Sequence, residues 1–542
     1  MIPNPFPQLT IDPADQDHNP AIKLFGRRFF ADQTALEFLA EMLLVMHSPK
    51  LIGTQKLDAK AILPPREQLL HWPAHHALFY QPKMRLNLKL FAFLGSSKLD
   101  TRHASHRQHY KQLLQQMKDN MATASVVSKD DVLRGLENLF QGFQGAGLSR
   151  TWCAQTFLPV SPGVLAGETL WNETRANAED NLTWDEAIDH VSTYFSLSRH
   201  RFMARGGELL YLQICNALRQ SDASINSWLQ KNQFTFVGEE VSPSLLYNCL
   251  TKVLPRITNQ SPPGIQELAS WIDQLDQHTT VGTDDRDPAP CGWCPEESWA
   301  EGYLFAVELA RICRANIDPI ERIELLTVGC ALQVLRSLCS QSVRYNPGLS
   351  DDLKAQGGAL GFAWIVSGPT PKDRASWKLS ERNLLAVQNL IYTALRHEDI
   401  RQDAEEKDYA EADRRYGHKL FLSLAKKIGF IVPQRGPGAH FTLNDKLLRY
   451  LVLALVRPGQ KCTLDTFKSA LYQHYGMAFA GDQLKQACRW SGLAPLEDAI
   501  NPKAGWFEEM LRTAGFLVHL SDACSLVHNP FDGDENPAAN KT

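Results

Sequence analysis

Apolar residues recur at helical spacing through much of the chain, and near its end that pattern breaks twice in the same manner. Tyr416, Leu420, Leu424 and Ile428 share one helical face, Phe421 and Ala425 widen it, and Gly429 stands where a left-handed cap would end the helix. "FIV" and "AHFTL" then pattern as short strands around "PQRGPG", whose prolines and glycines favour a turn. Farther on, Asn501 and Pro502 begin a predicted helix carrying Trp506, Phe507, Met510 and Leu511, and Gly515 releases the chain into "FLVHL" and "SLVHN". Between the two breaks, Lys446 to Val456 reads as an almost wholly apolar helix stopped by "RPG", and Thr463 caps a helix bearing Leu464, Phe467 and Leu471. "GDQLKQACRWSG" turns Leu484, Ala487 and Cys488 inward and Gln483, Lys485, Gln486 and Arg489 toward solvent.

Upstream, the same periodicity predicts a mostly helical chain. "DQTALEFLAEMLLV" offers Asp32 as an N-cap, "HRQHYKQLLQQMKDN" reads as a polar, basic, exposed helix, and Thr183 with Glu186 form a capping box. "SWAEGYLFAVELARICRAN" and "IERIELLTVGCALQVLRSLCS" are long helices with wide apolar faces. The Pro- and Asp-rich "TTVGTDDRDPAPCGWCPEE" reads as an exposed loop, and "DIRQDAEEKDYAEADRRY" as a charged helix or linker. The fold class that follows is mainly α with small β-hairpins (α+β) in a multidomain helical protein. Its segments are 1–125, 126–260, 261–413 and 414–542, the last with a disordered tail.

Length supports that division, because 542 residues exceed one ordinary core and suggest roughly two to four domains. The apolar runs "ALEFLAEMLLVM" and "LLRYLVLALV" fall short of the roughly 20 residues that a membrane span needs. The first twenty residues are acidic where a signal peptide is basic, and eleven scattered cysteines read as reduced thiols, so a cytoplasmic setting without a membrane partner is expected. A formal net charge of -4 excludes a uniformly basic nucleic-acid coat, yet the charge is segregated. Residues 1–129 hold 16 Lys/Arg against 10 Asp/Glu, net +6; residues 265–330 hold four against 13, net -9; residues 414–531 hold 15 against eight, net +7.

Over 414–531 the helix-and-hairpin pattern resembles the winged-helix superfamily. That resemblance implies a recognition helix in a duplex DNA groove and a basic wing on the adjoining backbone. By position, the recognition role falls to the helix holding Gln483, Lys485, Gln486 and Arg489, and the wing role to Arg435 in the first unit. The second wing, "SDAC", departs from the pattern in lacking Lys or Arg.

Other motifs point to chemistry with less context. Cys291 and Cys294 in "CGWCP" have the spacing of half a Zn²⁺ site or of a redox dithiol, but neither a second Cys pair nor a βαβ context accompanies them, which favours two ordinary loop or core thiols. His278, Cys153 and Cys313 are candidates for the missing ligands, though spacing does not indicate them. In "RHASHRQHYK", which also holds His103 and His106, Arg102 and His109 resemble the Arg-x(4–6)-His spacing of HEPN-type ribonucleases; the resemblance implies phosphate stabilisation by Arg102 and acid–base work by His109. Asp403, Glu405 and Lys407 follow the D-x-E-x-K order of carboxylate nucleases, but their charged flanks read as a solvated helix face. "GFQGAG" lacks the Lys-Ser/Thr of a phosphate loop.

With winged-helix-like pieces beside a long helical body and no enzyme motif, the chain also resembles accessory proteins of bacterial anti-phage and modification-dependent restriction operons. The reading is a non-catalytic DNA-binding or adaptor subunit, for which any cutting or movement of DNA implies an ATPase or nuclease partner. A protein-interaction scaffold and a metal-independent ribonuclease are the alternatives.

Overall fold

The computed structural model describes all residues except 1–2, 9–18, 27–28, 54, 59–60, 95–103, 123–126, 148–151, 172–182, 184–185, 187–194, 197–205, 235–241, 260–263, 276–287, 370–373, 402–403, 497–498, 500–504, 522–523 and 534–542. The protein is mainly helical with small sheets of few strands. Helix α1, Ala35–His47, begins at Thr34 rather than Asp32, because Thr34 and Glu37 close a reciprocal capping box that satisfies two backbone donors at once. The Thr183–Glu186 box forms as read, with both backbone N–H groups answered. Helix α2, Ala104–Asp119, departs from the exposed basic helix of the sequence reading, since His106 and His109 lie on its buried face.

Helix α3, Gly206–Leu218, is buried along its whole length. Adjacent helices approach it closely where side chains are missing. A methyl group on Gly206 would collide with the Phe38 ring of α1, and one on Gly302, in helix α4 (Trp299–Arg314), would press into the Gln213 carbonyl group. Gly302→Ala is therefore expected to lower stability by about 1–3 kcal/mol. Gly135→Ala, on an open helix face where an added methyl meets nothing, should raise it by about 0.5–1 kcal/mol. Urea midpoints of the two variants moving in the same direction would refute this account of the α3–α4 contact.

Helix α5, Pro319–Arg344, starts at Asp318, whose carboxylate accepts from the Ile320 and Glu321 N–H groups. Among the described residues it is the one helix long and apolar enough to cross a bilayer, longer than either run singled out in the sequence, and 89% of its apolar window is packed inside the protein. A buried polar cluster binds α5 to its neighbours. Arg336 grips both Glu308 oxygens of α4, at 2.7 and 3.1 Å, with Gln333 beside it.

Strand β1, Trp364–Ser367, was not legible in the sequence, and the C-terminal units assemble around it. Helix α6, Arg374–Ala394, follows, then α7, His418–Lys427, and the hairpin of β2, Ile431–Val432, with β3, His440–Thr442. Helix α8, Asp445–Leu455, leads to β4, Lys461–Thr463, α9, Leu464–Tyr475, and β5, Met477–Ala478. Helix α10, Gly481–Trp490, α11, Trp506–Thr513, and the hairpin of β6, Leu517–Ser521, with β7, Cys524–His528, complete the chain as described.

Two sheets result. The first has the order β2-β3-β1-β5, with β3, β1 and β5 parallel, so strands cross the boundary drawn at residue 413. Trp364 is fully buried in it, packed against Phe421, Phe430 and Phe441, and Ser380 and Asn383 of α6 hydrogen-bond the β3 and β1 backbones. The second has the order β4-β7-β6, its first strand paired with its last. Tyr450 of α8 donates to Glu308 at 3.0 Å and His474 of α9 lies 3.7 Å from it, so the polar cluster reaches the C-terminal part as well.

Candidate nucleic-acid interface

The local signals of the first hairpin are present. Gly429 adopts φ +75° after α7, and Gly436 and Gly438, at φ +99° and +78°, turn the tip between β2 and β3. Gln434 donates to the Lys426 carbonyl at 2.6 Å and Lys426 returns a bond to the Gln434 carbonyl, which anchors the base of the tip to α7. Arg435 projects from this tip, exposed and with no ion-pair or hydrogen-bond partner among the described residues.

Helix α10 buries Leu484, Ala487, Cys488 and Trp490. Trp490 donates to the Gly361 carbonyl at 2.9 Å, and Asn383 of α6 donates to the Ser491 hydroxyl at 2.8 Å. Of its outward residues, Lys485 pairs with Asp482 at 2.9 Å and Gln483 donates to Ser469, leaving Gln486 and Arg489 exposed. Because β1 and β5 run parallel to β3, and α10 returns antiparallel to them, the end of α10 and the β2–β3 tip lie at the same end of the sheet, the end where those strands start. Arg435, on the β2–β3 turn, and Arg489, near the end of α10, thus lie at one end of the sheet.

The helix directly before the second hairpin is α11, not α10. Its outer residues include Glu509 and Arg512, which pair with each other, and Glu508, which lies 3.6 Å from Lys468. The hairpin tip at 522–523 is outside the described residues, and Leu520 beside it is 63% exposed.

Charge segregation along the chain is partly cancelled in space. Glu301 pairs with Arg344, Glu308 with Arg336, Glu321 with Arg449, Glu324 with Lys446 and Glu296 with Arg219, so much of the acidic middle neutralises cations drawn from elsewhere. After those pairings, Arg414, Lys419, Arg435, Lys461 and Arg489 are the exposed cations of 414–531 without a partner among the described residues. The sequence reading missed another set. Arg374, Lys378 and Arg382 are exposed on α6 at four-residue intervals, a spacing that places them along one helical stripe.

The remaining candidate chemistry is occupied by structure. Cys291 and Cys294 are buried rather than in an exposed loop, because Ala289–Pro290 pairs with Leu78–Tyr80 and Cys294–Pro295 with Pro5–Phe6. Burial pushes the Cys294 thiol up to about 12, which keeps it protonated and opposes thiolate chemistry. Among the described residues no group of three or more His, Cys, Asp or Glu side chains is placed to hold a metal ion. His278 lies outside the described residues. His109 is buried and burial, then His106, lowers its imidazole to about 3; Arg102 and His103 lie outside the described residues. Glu405 and Lys407 form an exposed 2.7 Å pair, and Asp403 too lies outside. No family model, curated protein or solved structure matches the chain.

Proposed function

We propose that this chain is a non-catalytic DNA-binding subunit of a cytoplasmic multiprotein complex, working beside a partner that supplies any ATPase or nuclease activity. The observation that carries the reading is the pair Arg435 and Arg489, exposed, without carboxylate partners among the described residues, at one end of the β2-β3-β1-β5 sheet. Cations held this way are available to phosphates, whereas Lys446 and Arg449 are already paired with Glu324 and Glu321. The β4-β7-β6 sheet, with helices between its first two strands, supports the winged-helix-like reading of 414–531. Lys485 carries less of the proposal than Arg489, because Asp482 holds its ammonium. A defence or restriction context remains part of the proposal and rests on the sequence resemblance.

Full-length protein bound to a labelled duplex across a salt series tests this. Each phosphate contact contributes about -0.9 to the slope of log K against log salt, so Arg435→Ala/Arg489→Ala should flatten the slope by about 1.8. These substitutions are on the surface and should change stability by less than about 0.5 kcal/mol. Absence of duplex binding by the wild type at low salt would reject the reading. It would favour the scaffold alternative, for which exposed Leu520 at the cation-free second hairpin is the specific support.

A further inference from the structure

We infer that the outer face of α6 is a second phosphate-binding element, continuous with the α10 edge and directed to the backbone of the same DNA duplex. The inference rests on the DNA-binding reading and enlarges it from two cations at a sheet end to a ridge that runs along a helix. Arg374, Lys378 and Arg382 are all exposed and have no partner among the described residues. At 1.5 Å rise per residue, the eight residues from Arg374 to Arg382 span about 12 Å, a length over which a duplex presents several phosphates.

The inward face of the same helix explains why these side chains are held in place. Ser380 donates to and accepts from the β3 backbone at Phe441, Asn383 is bonded to Ile365 of β1 and to Ala363 just before it, and Trp377 stacks on His440 at 4.6 Å. Helix α6 is thereby fastened across the sheet by its buried side, and its cations point away from that side. Asn383 also reaches Ser491, so Arg382 and Arg489 belong to neighbouring turns of two helices joined by a direct hydrogen bond. Past Arg382 the exposed stripe continues through Leu385 and Asn389 to Tyr392, so positive charge is concentrated in its first half. Glu381 is the one carboxylate exposed between Arg374 and Arg382, leaving net positive charge along this half of the stripe.

A rigid helix carrying evenly spaced, unneutralised cations suits a regular polyanion better than a protein partner, whose charges seldom repeat at one interval. Contacts from this stripe to phosphates would position the duplex and carry no sequence information directly.

The test uses the full chain and a labelled duplex over a salt series, with three variants. Arg374→Ala/Lys378→Ala/Arg382→Ala should flatten the log–log slope by about 2.7 and weaken binding similarly for unrelated duplex sequences. Lys83→Ala/Lys111→Ala/Lys231→Ala removes the same charge from exposed positions on other elements and should leave the slope unchanged. The Arg435→Ala/Arg489→Ala variant reports on the parent reading. A flattened slope in that variant together with a wild-type slope in the α6 variant would overturn the α6 inference and leave the parent reading standing. Equal losses in the α6 variant and the Lys83/Lys111/Lys231 control would overturn it too, by showing a net-charge effect. No binding by the wild type removes both.

Discussion

Replacing Arg336 with Met is expected to destabilise the protein by about 3–5 kcal/mol, because Glu308 would be left as a buried, unpaired carboxylate. Arg336 and Glu308 are respectively 0% and 1% exposed, and the guanidinium meets both carboxylate oxygens. Burial alone would raise the Glu308 carboxyl; Arg336, followed by His474, brings it down to about 2. A carboxyl depressed in the folded state stabilises fully above its unfolded range, near 4.3, and that contribution is lost as pH falls toward 2. In the variant, burial acts unopposed by Arg336 and Glu308 takes up a proton at higher pH. The stability gap between wild type and variant should therefore narrow as pH falls from 7 to 5. Adding Glu308→Gln to Arg336→Met should recover part of the loss, since no charge then remains in the core. A urea-derived loss below about 1 kcal/mol at pH 7 would show that the pair is not the joint between the helical body and α8–α9 described above.

Acid lability is the second large expectation. Burial lowers His47 to about 4, with Lys50 adding to the effect; it lowers His474 to about 4 despite Glu308, and His109 to about 3. All three bind protons more weakly folded than unfolded. Their contribution is complete above about pH 6.5 and is lost as pH falls through the window down to their folded values. Each imidazole therefore loses stabilisation by proton linkage as pH falls below about 6.5, and the losses act in the same direction. Urea midpoints between pH 7.5 and 5 should fall, and His109→Gln, which removes one of the three groups, should make the fall shallower. A flat profile over this range would mean that these imidazoles are not held neutral in the folded core.

Both expectations concern residues whose importance periodicity did not reveal. "HRQHYKQLLQQMKDN" has the composition of an exposed helix, yet His106 packs at 4.5 Å from the Trp171 ring and 5.3 Å from the Trp152 ring, and neither tryptophan is near it in sequence. Arg336 sits in a stretch read only as apolar, and its partner Glu308 belongs to another helix.

By itself the sequence determined what neighbouring residues decide: the mainly helical class, the Thr463 cap, the stop at Gly429 and the hairpins that follow two helices, while it placed the start of α1 at Asp32, two residues before the actual cap. Caps, turns and helical faces depend on hydrogen bonds and side chains a few positions apart, so their signal is local. Only the tertiary structure decided that β1 lies between β3 and β5, that Cys291 and Cys294 are buried, and that acidic residues of the middle neutralise arginines beyond it. It also decided which cations stay free, because Lys485 and Arg489 are alike in sequence but only Lys485 finds a carboxylate. Strand partnership and charge cancellation are set by approach between distant segments, and a one-dimensional pattern of residue types carries little record of which segments meet.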